Sequence, residues 1–140
     1  MDARKYLEQV RHIDEEIQSR MEEQESLKAS LVSSPQISED SVTSSPKGHY
    51  DDKFVKIVEY SQDIDERVDK LFALKHEISS AIDSVDDRLY RLILRERYIN
   101  IKNWEQIEDQ LNYSHRQIIR LHGEALESFR KVYNMAQNGT

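Results

Sequence analysis

The sequence predicts an all-α chain in which a long antiparallel helical hairpin, a coiled coil, precedes a three-helix helix-turn-helix domain. Three observations predict it. Apolar residues recur in alternating three- and four-residue steps along two long stretches, and cap signatures punctuate the remainder. Gly and Pro, 3 and 2 in 140 residues, are too few to break helices often. Only 37% of residues are apolar and 34% are charged. That balance is lean for one compact core and suits exposed helices, whose seam needs about two apolar residues in seven.

The first stretch runs from Ala3 to Leu31, with Tyr6, Val10, Ile13, Ile17, Leu27 and Leu31 on its seam and polar Arg20 and Gln24 in the middle. Polar residues at such positions lower stability and fix register or partner number. Residues 33–46, rich in Ser with two Pro and only Ile37 and Val42 apolar, cannot bury enough surface to offset the ordering of their backbone. A flexible Ser-rich loop is therefore expected over 33–50. The second seam is Phe54, Ile57, Ser61, Ile64, Val68, Leu71, Lys75, Ile78, Ile82 and Val85. Two helices of similar length, each roughly 45 Å long, suit an antiparallel hairpin. Val55, Val58, Tyr60, Phe72 and Leu74 widen the second seam beyond what one partner helix needs, which predicts either more than two helices at the contact or self-association, as a homodimer through the hairpin.

Ser84 with Asp87 three residues later predicts a further helix from about Val85, with Leu89, Leu92, Ile93 and Tyr98 inward and Arg88, Arg91, Arg95 and Arg97 outward or flanking. Asn100 to Asn103 is the connection to the next helix. Asn103 followed by Gln106, and Ser114 followed by Gln117, have the capping-box spacing. The first of these helices has the apolar face Trp104, Ile107 and Leu111, and the second has the stripe Ile118, Leu121, Ala125 and Phe129. With Asn112 and Tyr113 as the turn, helices so closely joined must cross steeply, which turns the start of the second outward, where it can enter a major groove. Trp104 is read as a packing residue.

The net charge of −7 is unevenly spread: Lys+Arg against Asp+Glu is 11 to 19 over residues 1–84 and 9 to 8 over residues 85–140. The acid lies in the hairpin, and the second part holds enough cations to meet phosphates. With no Cys there is no disulfide framework, thiolate metal site or cysteine nucleophile. The five His lack metal spacing, and no Gly-rich phosphate loop or Ser-His-Asp arrangement is visible. The expectation is a protein that is not an enzyme and has no cofactor, metal or small-molecule ligand. Met1 to Val10 is already charged and no apolar run approaches about 18 residues, so neither a signal peptide nor a membrane span is expected.

Residues 86–131 resemble region 4 of bacterial primary (sigma-70 type) sigma factors. The residues that carry the likeness are Leu94, Arg95, Glu96, Arg97 and Tyr98, then Trp104 to Leu111, then Ser114, Ile118, Ala125, Leu126 and Arg130. With the acidic hairpin in front, the chain is similar to the sigma-region-4-like late-gene transcription regulators of the ArpU and RinA type, encoded by phages and integrated elements. The resemblance implies that the start of the second helix supplies DNA-base contacts, here His115, Arg116, Gln117, Ile119 and Arg120, while Ile118, Leu121 and Leu126 are buried. In such an interface Arg116 or Arg120 would meet guanine, Gln117 adenine and Ile119 a thymine methyl. Phosphate contacts are expected from Arg88, Arg91, Lys102, Arg130 and Lys131. Two positions depart from the pattern: Glu108, expected to bend to solvent or pair with Arg120 or His122, and Gly123, inside the second helix.

The expected organisation is a hairpin over residues 1–84, a DNA-binding domain over 85–133 and a flexible tail over 134–140. The expected function is sequence-specific transcriptional regulation, as an activator of phage or mobile-element genes in the cytoplasm of a bacterial host. The expected partners are double-stranded DNA, RNA polymerase and a second copy of the chain. Two rivals stand beside it: a DNA-packaging adaptor similar to phage terminase small subunits, and a polymerase- or sigma-binding protein without DNA contact.

Overall fold

The structure, a computed structural model, describes residues 1–33 and 46–138. Among the described residues it is all-helical, with no strand. The elements are α1 (Ala3–Ser33), α2 (Pro46–Ile82), α3 (Arg88–Leu94), a π-helical segment (Arg95–Ile99), α4 (Trp104–Leu111) and α5 (His115–Gln137). The chain divides into two compact units, Asp14–Lys70 and Met1–Ile13 with Leu71–Thr140.

Within Asp14–Lys70, α1 and α2 lie side by side with opposite direction. Glu16 meets Arg67 at 2.6 Å, Arg20 meets Asp63 at 3.1 Å, Gln24 bonds Ser61 and Ser30 accepts from Lys53 at 3.0 Å. The two polar residues on the first seam thus find polar partners on α2, Gln24 on its seam and Arg20 beside it. Exposed ion pairs such as these contribute little, about 0–1 kcal/mol each, so the buried Ile17 and Ile64 supply most of the adhesion. Phe54, placed on the seam by its spacing, is 56% exposed. Of the loop expected over 33–50, residues 34–45 lie outside the described residues. At its edges α1 takes in Ser33 and α2 begins at Pro46, since proline's fixed φ and missing N–H suit a first helical position.

The second unit builds its core from both ends of the chain. Leu7 and Val10 of α1, Ile78 and Ile82 of α2, and Ile93, Leu94, Ile107, Ile118, Ala125 and Phe129 are all at or near zero exposure. Tyr6 stacks on Phe129 with ring centroids 6.3 Å apart and meets Tyr133 at a tilt at 5.0 Å, and the Tyr133 hydroxyl donates to the Met1 carbonyl at 3.0 Å. The compact unit therefore takes in the ends of the long helices as well as residues 85–133, and α5 runs on to Gln137 instead of stopping near residue 133, where Tyr133 has an aromatic partner, Tyr6, on α1.

The helix expected from about Val85 begins later. Asp87 is the N-cap, its carboxylate accepting from the Tyr90 amide at 3.0 Å, while Val85 is spent as a core residue in the turn. Arg91 closes that turn, donating to the carbonyls of Val85 and Asp86 at 2.7 and 2.8 Å. After Leu94 the helix widens to a π turn, with the Asn100 amide bonded five residues back to Arg95. Ile101 ends it at a φ of 54°, which lets the Lys102 amide reach the Glu96 carbonyl at 3.0 Å. A β-branched residue there costs on the order of 1–2 kcal/mol.

Candidate functional site

Both helices next to the outward surface are held at their starts as their sequences direct. Asn103 and Ser114 each accept from the amide of the residue three further on, and Gln106 and Gln117 return a bond to the cap amides, at 2.9 Å in each case. Between them Asn112 takes the left-handed conformation at φ 59°, which asparagine tolerates better than most residues. Ile107, Ile118 and Leu121 are buried between α4 and α5 or beneath them, so the first turns of α5 present His115, Arg116, Gln117, Ile119 and Arg120 to solvent.

The five side chains differ in their commitments. Arg116 has no partner among the described residues, and Ile119 is 41% exposed. Arg120 pairs with Glu124 at 2.8 Å, and Glu124 also accepts from the Tyr90 hydroxyl at 2.7 Å. Gln117 uses its carbonyl oxygen in the cap. His115 Nδ1 lies 2.5 Å from Glu108 Oε2, which corrects the expectation for Glu108: its carboxylate is bound by the first residue of α5, ahead of both Arg120 and His122 along the helix.

The expected phosphate contacts are not gathered into one set. Arg88 and Lys131 are exposed, Arg130 pairs with Glu127, and Arg91 is occupied with the turn carbonyls. Lys102 is committed inside the chain, to Glu96 and to Gln110 at 2.7 Å. Glu96 is 7% exposed. Burial alone would push its carboxyl up, but Lys102, Asn100 and Gln110 overcome this and hold it below its ordinary value.

Behind this surface sits a cluster that the sequence reading assigned piecemeal. Trp104 is half-buried, with the Arg97 guanidinium 4.3 Å above its ring and the His122 ring against it at 4.6 Å. His122, 6% exposed, has its Nε2 2.7 Å from the Tyr98 hydroxyl. Arg97, expected to point outward or flank, also donates to the Lys102 carbonyl at 3.0 Å. Burial, and then the charges of Arg4 and Arg97, push His122 down to about 4, while burial pushes Tyr98 up to about 12.

This predicts an acid-labile fold. Between the ordinary histidine value of about 6.5 and about 4, the unfolded chain binds a proton at His122 that the folded chain does not. The contribution of the neutral ring is therefore complete above about 6.5, falls as the pH drops and levels off below about 4, a loss of at most about 3 kcal/mol. Urea midpoints for His122→Gln, which keeps a polar partner for Tyr98, should fall less between pH about 7 and about 5 than those of the parent. An equal fall would exclude His122 as a cause.

Gly123 stands on the outer side of α5, where an added Cβ would meet nothing within 4 Å. Gly123→Ala is therefore expected to raise stability by about 0.5–1 kcal/mol through helix propensity alone. Thermal unfolding followed by circular dichroism reads this directly, and a lowered midpoint would mean that the position is held for a backbone reason.

A family model described as a protein of unknown function (DUF1492) matches residues 31–129. No curated protein and no solved structure matches the chain. The matched stretch holds all of α2, α3, the π turn and α4, and α5 as far as Phe129. It covers most of the chain, which therefore belongs to the DUF1492 family.

Proposed function

We propose that this chain is a sequence-specific DNA-binding transcriptional regulator, an activator of phage or mobile-element genes, that reads the major groove with residues 114–130. In this reading the long helices form a coiled-coil hairpin in front of a sigma region 4-like helix-turn-helix. The observation that carries it is the outward start of α5, where Arg116, without a partner among the described residues, stands beside exposed Ile119 and Arg120 on a helix anchored from below by Ile118 and Leu121. The Arg120–Glu124 pair is no obstacle. Exposed pairs contribute under about 1 kcal/mol, less than the about 1–3 kcal/mol a bidentate contact to guanine supplies.

The test is Arg116→Ala combined with Arg120→Ala, assayed on duplexes selected from random sequence by the parent chain. Loss of two base contacts should weaken specific binding by about 2–6 kcal/mol while leaving the helical circular dichroism unchanged. Parent-like affinity in the double variant would remove α5 as the reader.

Self-association through the hairpin is part of the same proposal. It is supported by Phe54, Val55 and Val58, which stand 56%, 51% and 42% exposed on one side of α2. The acidic helices would also offer RNA polymerase a surface. Mass from light scattering separates a regulator from a packaging adaptor: a dimer fits the former, a ring of eight or more the latter.

A further inference from the structure

Arg4, Glu8, Arg11 and His12 of α1 and Arg97 and Tyr98 of the π turn line a cavity of about 180 Å³. Its charges do not balance. Arg4 is paired with Glu8 at 3.1 Å. Among the described residues Arg11 has no carboxylate partner, and Arg97 has the Lys102 carbonyl and the Trp104 ring but no carboxylate either. Two positive charges are thus left facing one small space in a chain of net charge −7. Burial first, and then the Arg11 charge, with a smaller push from Arg4, hold the Arg97 guanidinium below its ordinary value although Glu8 acts the other way.

We propose that this cavity binds a phosphate dianion, as inorganic phosphate or as the terminal phosphate of a monoester. A carboxylate carries one charge on two oxygens and is satisfied by a single guanidinium fork. A terminal phosphate presents three oxygens and a charge between about −1.5 and −2 near neutral pH, which matches several forks and the two unbalanced charges. Tyr98 lines the cavity and is bonded to His122 of α5, and Arg97 stacks on Trp104, the first residue of α4. An anion here would therefore brace the starts of α4 and the middle of α5 from behind. The site does not depend on the DNA-binding reading, and its test contains no DNA.

Trp104 is the chain's single Trp, and it reports on the cavity through Arg97. Its emission in the full chain is titrated with potassium phosphate at constant ionic strength against potassium chloride. A saturable change specific to phosphate is expected, weakened about tenfold or more in Arg11→Gln, which leaves Arg97 and Trp104 in place. A nucleoside monophosphate binding more tightly than inorganic phosphate would identify a monoester as the occupant, and equal binding would identify free phosphate. The same response to chloride, or a phosphate response undiminished in both Arg11→Gln and Arg4→Gln, would overturn the site.

Discussion

Phe129→Ala is expected to lower stability by about 3–5 kcal/mol, the range for removing a fully buried aromatic ring from a core that cannot collapse around the void. Phe129 is at zero exposure and is packed by Tyr6 from the start of α1 and by Tyr133 from its own helix. Loss of the ring would therefore also loosen the attachment of α1's first turns to α5. Phe72→Ala is the matched control: its ring is 64% exposed and its truncation should stay within about 0.5 kcal/mol. Urea unfolding of the two variants, followed by circular dichroism, compares them on one scale. A cost below about 1 kcal/mol for Phe129→Ala would mean that the end of α5 does not dock on α1.

Lys102→Met should cost about 2–3 kcal/mol, because it leaves the Glu96 carboxylate buried without its cation. Lys102 is about one-third exposed, which keeps the figure below that of a fully enclosed pair. The pH dependence carries a sign. In the parent the Glu96 carboxyl is held below its ordinary value, so its contribution is present above about 4.5 and is lost as the pH falls through the folded value. In Lys102→Met only Asn100 and Gln110 are left to oppose burial, so the carboxyl rises relative to the parent and the variant should lose less stability than the parent as the medium is acidified from neutral. Adding Glu96→Gln to Lys102→Met should recover at least half of the loss, since an amide costs less to bury than a charge. A single variant as stable as the parent would show that Lys102 is free for other partners.

The legible parts of this chain are those set by local chemistry. The capping boxes at Asn103 and Ser114, the left-handed Asn112 and the buried stripe from Ile118 to Phe129 follow from residue types a few positions apart, and each is placed as its sequence directs. The outward exposure of Arg116, Ile119 and Arg120 follows from that stripe. Less could be read from the seams, because a three-four periodicity says which face of a helix is apolar and not what covers it. Phe54 satisfies the period and is exposed, while Leu7, off the period, is fully buried. The π turn at Arg95–Ile99 has no signal in the sequence. The cap at Asp87 was legible as a residue but not as a start, since Ser84 competed for the same role.

What the sequence determines by itself is an all-helical chain with its helix starts, its apolar faces and the acidic character of its first part, all consequences of neighbours within about one or two helical turns. Only the tertiary structure decides which cations are free. Arg116 and Lys102 look alike in one dimension, yet the first has no partner among the described residues and the second is held by a buried carboxylate six residues earlier. Likewise Arg4, Arg11 and Arg97 become one cluster only when the two ends of the chain fold into one core. The physical reason is range: caps and periodicity are fixed by the local backbone, whereas the charge of a site is a sum over groups that sequence distance does not order.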